Sequence, residues 1–156
     1  TLKKESIKAF FLSMNDGIGG VSYALEKTQI DCNISFTSLT PTFCKNLARF
    51  GPFGIGNSSP IFCAEDITLK SNGLRSLGSS GNHYRLTLCG PQGNQRDALY
   101  FNAPGNLEEI ISAPFRLVFG LRPNLWRGVV SWDIVIKEIW PENDSLDGEV
   151  APTLIH

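Results

Sequence analysis

The chain has 156 residues, of which 42 % are hydrophobic and 19 % charged, and its formal net charge is −1. This length suits one domain with a real core, and the lack of any apolar run near the roughly 18 residues of a membrane span argues against a membrane partner. Five of the 15 acidic residues lie from Glu138 onward, where there is no Lys or Arg, so residues 1–137 carry 14 basic and 10 acidic residues. This mildly basic balance is compatible with a polyanionic partner.

The first 50 residues predict a small α/β segment. Apolar residues recur at helical spacing over the first fifteen residues and predict one amphipathic helix. Alternation of apolar and polar residues over 29–36 then predicts a half-buried strand. The apolar positions of the helix are Ile7, Phe10, Phe11 and Met14.

A second helix is predicted to begin at Pro41. Thr40 suits the N-cap and Pro41 suits the first helical position. Gly51 is expected to end this helix. Its buried stripe is predicted to consist of Phe43, Leu47 and Phe50.

Residues 50–62 read FGPFGIGNSSPIF and predict a structured loop that acts as a rigid connector. Gly51, Gly54 and Gly56 supply positions open to positive φ or to close backbone approach, and the prolines fix φ near both ends. The aromatic residues Phe50, Phe53 and Phe62 are expected to tie the loop to a core. The residues that define the loop are Pro52, Phe53, Gly54, Gly56, Asn57 and Pro60.

From Asp66 onward, short strands alternate with turn residues. We predict five strands, separated by glycine-rich turns and, between the third and fourth, by a short helix with Asn106 as its cap. The strands span 66–77, 82–89, 97–102, 114–121 and 128–140. Three strands, a short helix and two strands is the order of the OB-fold, a five-stranded Greek-key barrel. An SH3-like barrel or an irregular β-sandwich shares the strand count, and the connecting helix favours the OB-fold.

The sequence shows no constellation typical of catalysis. Hydrolytic sites need clustered Asp, Glu, His or Cys residues, and neither the Glu65–Asp66 pair nor the Glu108–Glu109 pair is suited to chelating an ion alone. We therefore predict no catalytic residue and no metal ligand in this chain.

The four cysteines also argue against a zinc site, because they form no C-x-x-C pair and the only histidines are His83 and His156. Two disulfides are an alternative, but apolar neighbours favour buried free thiols in a reducing compartment. The cysteines are Cys32, Cys44, Cys63 and Cys89.

Basic and aromatic residues are interleaved along the predicted strands. This combination is typical of proteins that bind single-stranded nucleic acid, in which cations follow the backbone and aromatic rings stack on bases. On the strand that begins near Asn82, alternation places His83 and Arg85 on one face and Tyr84 on the other. Two alternatives remain open: His83 caps the hairpin through a backbone hydrogen bond, and most arginines are ordinary solubilising charges.

Four segments, in order, resemble the C-terminal part of RecJ-type single-strand-specific exonucleases. The loop Pro52–Asn57, with Pro60 and Phe62, is similar to the family signature P-F-G-x-G-N-x-x-P-x-F. The segments GNHYRLTL at 81–88 and ALYF at 98–101 resemble the histidine-containing strand and the third strand of the family. The segment NLWRG at 124–128 resembles its N-x-W/Y-x-G turn.

The resemblance implies a C-terminal piece of such an enzyme without its Asp-His-His catalytic core, and hence a chain that is inactive alone. Residues 1–50 would be the end of the second catalytic-core domain and a connecting helix, and residues 51–65 the loop packed on the barrel. Residues 66–140 would be the OB domain, and residues 141–156 a flexible acidic tail. The implied job of the OB domain is to hold single-stranded DNA while the core removes nucleotides from the 5′ end in DNA recombination and repair.

The partners and contacts implied by this resemblance are specific. The parent exonuclease would use divalent Mn or Mg, whereas this fragment would need no cofactor. The partners would be single-stranded DNA, the catalytic core of the same enzyme and single-strand-binding protein, in the bacterial cytoplasm or in a plastid. Alternatively, the barrel is a docking or spacer module for the core or for a partner protein. The predicted nucleic-acid contacts are Arg75, His83, Tyr84, Arg85, Asn124, Trp126 and Arg127.

Overall fold

The computed structural model describes residues 28–79 and 81–142. The predicted N-terminal helix and almost all of the acidic tail lie outside the described residues. Six strands and three short helices follow one another along the described part of the chain. In order they are β1 (Cys32–Asn33), a 3-10 helix (Phe36–Ser38), α1 (Pro41–Ala48), β2 (Ile61–Ser76), β3 (Tyr84–Cys89), β4 (Gln95–Tyr100), α2 (Leu107–Ile110), β5 (Phe115–Trp126) and β6 (Val129–Pro141).

Strands β2 to β6 close into a barrel. Strand β2 pairs antiparallel with both β3 and β5, β3 pairs antiparallel with β4, and β5 pairs antiparallel with β6. The remaining contact, between β4 and β6, is parallel. Three strands, a short helix and two strands with this pairing define the OB-fold. The predicted fold is therefore confirmed, and the small segment before the barrel adds β1 in parallel beside β2.

Strand β2 reaches both of its neighbours because it bends. Its first half pairs with β5 and its second half with β3, and the register shifts between Ala64 and Ile67 and again between Leu69 and Leu74. Asp66 lies in the first irregularity with φ of 56°. In the second, a Cβ on Gly73 would lie 2.7 Å from the Lys70 carbonyl oxygen and 2.9 Å from that of Thr87, so only glycine fits without a shift of the backbone.

Alternation along the strands builds the core. Leu86 and Leu88 of β3 are fully buried, whereas their neighbour Arg85 is exposed. On β5, Phe115, Leu117 and Phe119 fill the barrel in the same way. Burying a side chain of this size stabilises the fold by about 1.5–3 kcal/mol. These strands therefore have one apolar face inside the barrel and one outer face available for binding.

The segment before the barrel differs from the prediction in two places. The Thr40 hydroxyl accepts a hydrogen bond from the Phe43 N–H at 3.1 Å, which confirms the helix cap. Phe50, however, lies beyond the end of α1 and is 73 % exposed, so its assignment to the buried stripe was wrong. The strand predicted over 29–36 is limited to β1, because the chain turns into the 3-10 helix at Phe36.

The loop at 51–60 is stabilised by hydrogen bonds from an asparagine side chain. The Asn57 side-chain amide donates to the carbonyl oxygens of Phe50 and Pro52, at 3.0 and 2.9 Å. Asn57 and Gly54 also exchange backbone hydrogen bonds of 2.8 and 3.1 Å. Among the three glycines only Gly56 has a positive φ, of 84°. The expectation that Phe50 ties this loop to the core was wrong, although Phe62 is buried in β2.

The observed strand boundaries differ most from the predicted ones at the start of β2 and at the end of β5. Strand β2 begins at Ile61 rather than at 66, because residues 61–64 already pair with β5. The pairing of β5 with β6 continues to Trp126 and Val129, well beyond the predicted end at Leu121. Asn106 occupies the N-cap position of α2, but its side chain makes no capping hydrogen bond.

The cysteines in the structure are all free, as predicted. Cys44 and Cys63 are buried, and Cys32 and Cys89 are half-buried. Burial, followed by the charge of Glu65, raises the pKa of the Cys63 thiol to about 11. No helix within the described residues has the length and apolarity that crossing a membrane requires.

Candidate nucleic-acid interface

Two arginines lie opposite each other on the outer face of the barrel. Arg75 of β2 is the cross-strand partner of Arg85 on β3, and Arg85 is in turn paired with Leu99 on β4. Both arginines are exposed, and no described residue forms an ion pair with either of them. Like charges in directly opposed positions of a sheet repel each other. This pair therefore places two positive charges side by side, and neither has an ion-pair partner among the described residues.

His83 lies just before β3 and is held by the backbone. Its Nδ1 accepts a hydrogen bond from the Asn102 N–H at 3.1 Å. An accepting Nδ1 carries no proton, so the neutral ring has its proton on Nε2. The imidazole thus has a backbone hydrogen bond, but the bond comes from a residue just after β4 and not from a hairpin turn. Nε2 is left as a donor without a partner among the described residues, and contact of His83 with nucleic acid stays a prediction.

Phe101 lies beside His83 at the end of β4. Its ring meets the imidazole edge-on, with centroids 5.6 Å apart and an interplanar angle of 66°. Phe101 is 41 % exposed, unlike Tyr100 before it, which is buried. We define the basic–aromatic patch as Arg75, His83, Arg85 and Phe101, all on the outer face at the end of the barrel where β3 begins and β4 ends.

Tyr84 has a different environment from its two neighbours. It faces the barrel interior with Leu86, is half-buried and packs against the core. Its hydroxyl donates to the Gly81 carbonyl oxygen at 2.9 Å, which fixes the turn between β2 and β3. The structure thus gives Tyr84 a structural role, and contact of Tyr84 with nucleic acid stays a prediction.

The other predicted contacts lie on the hairpin formed by the ends of β5 and β6. We call residues 124–131 the hairpin tip. Arg127 and Gly128 form a two-residue turn, with φ of 49° and 78°, and positive φ at both positions is typical of a type I′ hairpin. The Arg127 guanidinium carbon lies 5.7 Å from the ring centroid of Trp126. Such a cation–π contact contributes about 0.5–1 kcal/mol at an exposed site.

Asn124 is part of a polar network at the base of the hairpin tip. Its amide donates to Asp133 Oδ2 at 3.3 Å, and Arg122 forms an ion pair with the same oxygen at 3.4 Å. The backbone oxygen of Asn124 also accepts from the Ser131 hydroxyl at 3.3 Å. Asn124 therefore stabilises the pairing of the hairpin, and its contact with nucleic acid stays a prediction.

The structure separates the predicted residues into two groups. Strand register places Arg85, Leu99 and Val135 in one row across β3, β4 and β6. Strand β6 begins within the hairpin tip, at Val129, which is six residues before Val135. At about 3.3 Å per residue, the tip lies on the order of 20 Å from that row. It projects from the opposite end of the barrel to His83 and Phe101. The basic–aromatic patch and the hairpin tip are thus two surfaces.

Mixed charges lie between these two surfaces. A depression of about 280 Å³ is lined by Arg85 and Arg96 but also by Asp97 and Asp133. Asp97 accepts from the Thr87 hydroxyl at 2.8 Å, and Arg96 donates to the Leu39 carbonyl oxygen at 3.2 Å. The positive surface is therefore not a continuous stripe along the barrel.

Three other basic and aromatic residues of the barrel are held within the fold. Arg116 pairs with Glu65 at 3.4 Å, and Trp132 is half-buried and packs against the core. Tyr100 is buried, and burial, followed by the charge of Glu138, raises the pKa of its hydroxyl. These three side chains therefore pack or pair within the fold.

Across residues 28–79 and 81–142, no three His, Cys, Asp or Glu side chains come close enough together to hold a metal ion. The basic–aromatic patch and the hairpin tip each present positive charge and an aromatic ring. The patch lies on three paired strands of the barrel, whereas the tip lies on two.

The residue of the basic–aromatic patch that the sequence analysis missed is Phe101. It was recognised only as part of a strand segment that ends in aromatic residues. Strict alternation after the buried Ala98 would have placed Leu99 and Phe101 on the outer face. Alternation along β4 therefore could have identified Phe101. It requires knowing that Ala98 and Tyr100 face the interior, which the sequence alone does not show.

The fold and its surface define a class: an OB-fold barrel with an exposed basic–aromatic patch on strands β2 to β4. Oligonucleotides are among the ligands that OB-folds bind on this part of the barrel. The particular family follows from comparison of the sequence. A family model of the RecJ OB domain matches residues 30–138, and the chain belongs to this family.

Two solved structures share the fold. RecJ in complex with Mn²⁺ from Thermus thermophilus aligns over 96 % of this chain with a TM-score of 0.58 and 18 % sequence identity. RecJ in complex with Mg²⁺ from the same organism aligns over 96 % with a TM-score of 0.53 and 19 % identity. This chain covers 20 % and 21 % of those two proteins. Comparison with curated protein sequences gave no match.

Proposed function

We propose that this chain is the single-stranded-DNA-binding portion of a RecJ-like exonuclease, and that the basic–aromatic patch is the surface that binds the strand. The observation that carries the proposal is the opposed pair Arg75–Arg85. Placing like charges directly opposite each other on neighbouring strands is destabilising. A phosphate backbone that lies over the pair would remove this repulsion.

The surroundings of the pair suit a single strand. Single-strand binders combine a cationic groove with aromatic platforms for unpaired bases, and the patch provides Arg75 and Arg85 beside the exposed ring of Phe101. Contacts of this kind go to the backbone and to the faces of bases, so they carry little sequence information. Sequence tolerance is what a nuclease that degrades any strand requires.

In this proposal the rest of the parent enzyme performs the chemistry. The catalytic core would hold divalent Mn or Mg and remove nucleotides from the 5′ end during recombination and repair, in the bacterial cytoplasm or in a plastid. The OB domain would keep the strand in line with that core. This chain alone is expected to bind DNA and not to hydrolyse it.

The test is a fluorescence-anisotropy titration of the full 156-residue chain with labelled single-stranded and double-stranded oligonucleotides at several salt concentrations. We expect salt-sensitive preference for the single strand. The double variant R75A/R85A should bind more weakly, and the slope of log affinity against log salt should fall by about 1.4, since each lost phosphate contact removes about 0.7.

The matched control is K45A/R49A, which removes the same charge from exposed positions at the end of α1. It should leave the slope nearly unchanged. If the wild-type chain binds neither oligonucleotide, the proposed function is wrong. If it binds but R75A/R85A matches the control, the strand lies elsewhere on the barrel.

A second candidate function is docking, and the hairpin tip favours it. Leu125, Trp126, Val129 and Val130 are 62–70 % exposed. Leu125 and Val130 are cross-strand partners on the face of the hairpin that continues the barrel interior. Exposed apolar surface of this kind is typical of contact with another protein. The partner we propose is the catalytic core of the same enzyme.

The docking proposal is tested with the variant L125T/V130T, in which two β-branched polar residues keep the strand propensity of the hairpin. Binding of a separately produced catalytic core, measured by calorimetry, should be lost, while binding of single-stranded DNA should be retained. If L125T/V130T binds the catalytic core as tightly as the wild type does, the hairpin tip is not the docking surface. Loss of binding to single-strand-binding protein instead would identify that protein as the partner.

A further inference from the structure

Phe101 has an exposed ring although it follows a buried strand residue. It lies one position beyond the last residue of β4, on the outer face, and 41 % of it is accessible. Its neighbour Leu99 on the same face is half-buried. Exposing part of a phenyl ring forfeits hydrophobic stabilisation, and the aromatic contact that the structure gives this ring is with His83.

The backbone around Phe101 fixes the position of the ring. Asn102 has φ of 54°, in the left-handed region that Asn tolerates better than most residues. This turn directs the Asn102 N–H to His83 Nδ1 at 3.1 Å, and the Ala103 N–H donates to the Asn82 carbonyl oxygen at 2.9 Å. The imidazole in turn packs edge-on against the phenyl ring. The ring therefore has little freedom left to lose on binding.

The positive charges lie at a suitable distance from this ring. Arg85 is paired with Leu99, so Phe101 is its diagonal neighbour across the two strands. Diagonal neighbours are about 7–8 Å apart. A strand whose phosphates contact Arg75 and Arg85 therefore brings its bases within reach of Phe101.

We propose that Phe101 is the base-stacking platform of the patch and that His83 is the residue that positions it, an inference that rests on the proposed binding of single-stranded DNA. The ligand class is an unpaired nucleobase in a strand whose backbone lies on Arg75 and Arg85. A base within a duplex has no free face, so this platform selects single strands. Any base can stack, so it does not select a sequence.

The test compares two labelled strands of equal length, one of mixed sequence and one in which the bases over the binding site are abasic. Both carry the same phosphates, but only the first can stack. We expect F101A to bind the mixed-sequence strand about 5- to 150-fold more weakly than the wild type. Wild type and F101A should bind the abasic strand equally.

Three further variants separate stacking from other effects. F101L keeps an apolar side chain but has no aromatic face, so it should bind like F101A. F101W keeps an aromatic face and should bind at least as tightly as the wild type. F50A removes another exposed phenyl ring, on the loop after α1, and should have no effect. Thermal unfolding of each variant shows whether it folds.

The outcomes distinguish this inference from the proposed function. If the wild type does not bind either strand, the proposed function fails. If the wild type binds with the expected salt dependence but F101A and F101L bind the mixed-sequence strand as tightly, the stacking platform is wrong and the DNA-binding function stands.

The positioning role of His83 has its own readout. H83A should weaken binding to the mixed-sequence strand and leave binding to the abasic strand unchanged. In the double variant H83A/F101A the loss should be close to that of F101A alone, because His83 acts through Phe101. Additive losses, or an equal loss on the abasic strand, would overturn that role.

Discussion

The basic–aromatic patch and the hairpin tip contain the same kinds of residue, yet they differ in how they are built. The patch lies on three strands of the closed barrel, above the buried residues Leu86 and Ala98. The tip is a two-stranded ribbon whose residues Leu125 and Val130 cover nothing in the described structure. The two surfaces therefore differ in what lies beneath them: the patch covers buried residues of the barrel, whereas the tip extends beyond it.

The largest difference between the two surfaces should appear in stability. L86A empties a fully buried position beneath the patch and should lower the free energy of unfolding by about 2–5 kcal/mol. L125A removes an exposed side chain of the same size and should change it by less than about 0.5 kcal/mol. Urea unfolding followed by circular dichroism measures both. If L86A and L125A lower the free energy of unfolding by similar amounts, the tip is packed in solution. The contrast between a supported patch and an unsupported tip would then be wrong.

A smaller effect is expected from the turn of the hairpin. Gly128 has φ of 78°, and no atom beyond its chain neighbours lies within 4 Å of a Cβ built there. G128A should therefore cost about 1–2 kcal/mol through backbone conformation alone. Binding of single-stranded DNA should remain unchanged if the patch is the binding surface, and an anisotropy titration checks this. If G128A also binds single-stranded DNA more weakly, the hairpin tip takes part in the DNA interface.

The sequence predicted the barrel well because its signals are local. Alternation, glycine-rich turns and the short helix after β4 each depend on a few neighbouring residues, and together they allowed the order of strands to be predicted. The two barrel strands whose extent differs most from the prediction, β2 and β5, depend on distant pairing. Residues 61–64 are ordered by β5, and the end of β5, from Arg122 to Trp126, is ordered by its pairing with β6.

The candidate site was less predictable for the same reason. The prediction assigned His83, Arg85, Trp126 and Arg127 to one set of nucleic-acid contacts because they lie on or beside barrel strands. Their separation by the length of the barrel follows from the register of β4 and β6, which the sequence does not encode locally. Conversely, the spacing of Phe50 continues the apolar stripe of α1 in the sequence, but the helix ends at Ala48, before that turn is complete.

The two-sided pairing of β2 has a consequence for how the barrel assembles. Pairing with β3 closes the chain from Thr68 to Cys89, whereas pairing with β5 closes it from Ile61 to Gly120. The longer closure costs about 1 kcal/mol more in chain entropy. Every residue of the basic–aromatic patch lies in or directly beside β2, β3 and β4, the part of the barrel with the shortest loops to close. The face proposed to bind DNA is thus also the part whose assembly depends least on distant segments of the chain.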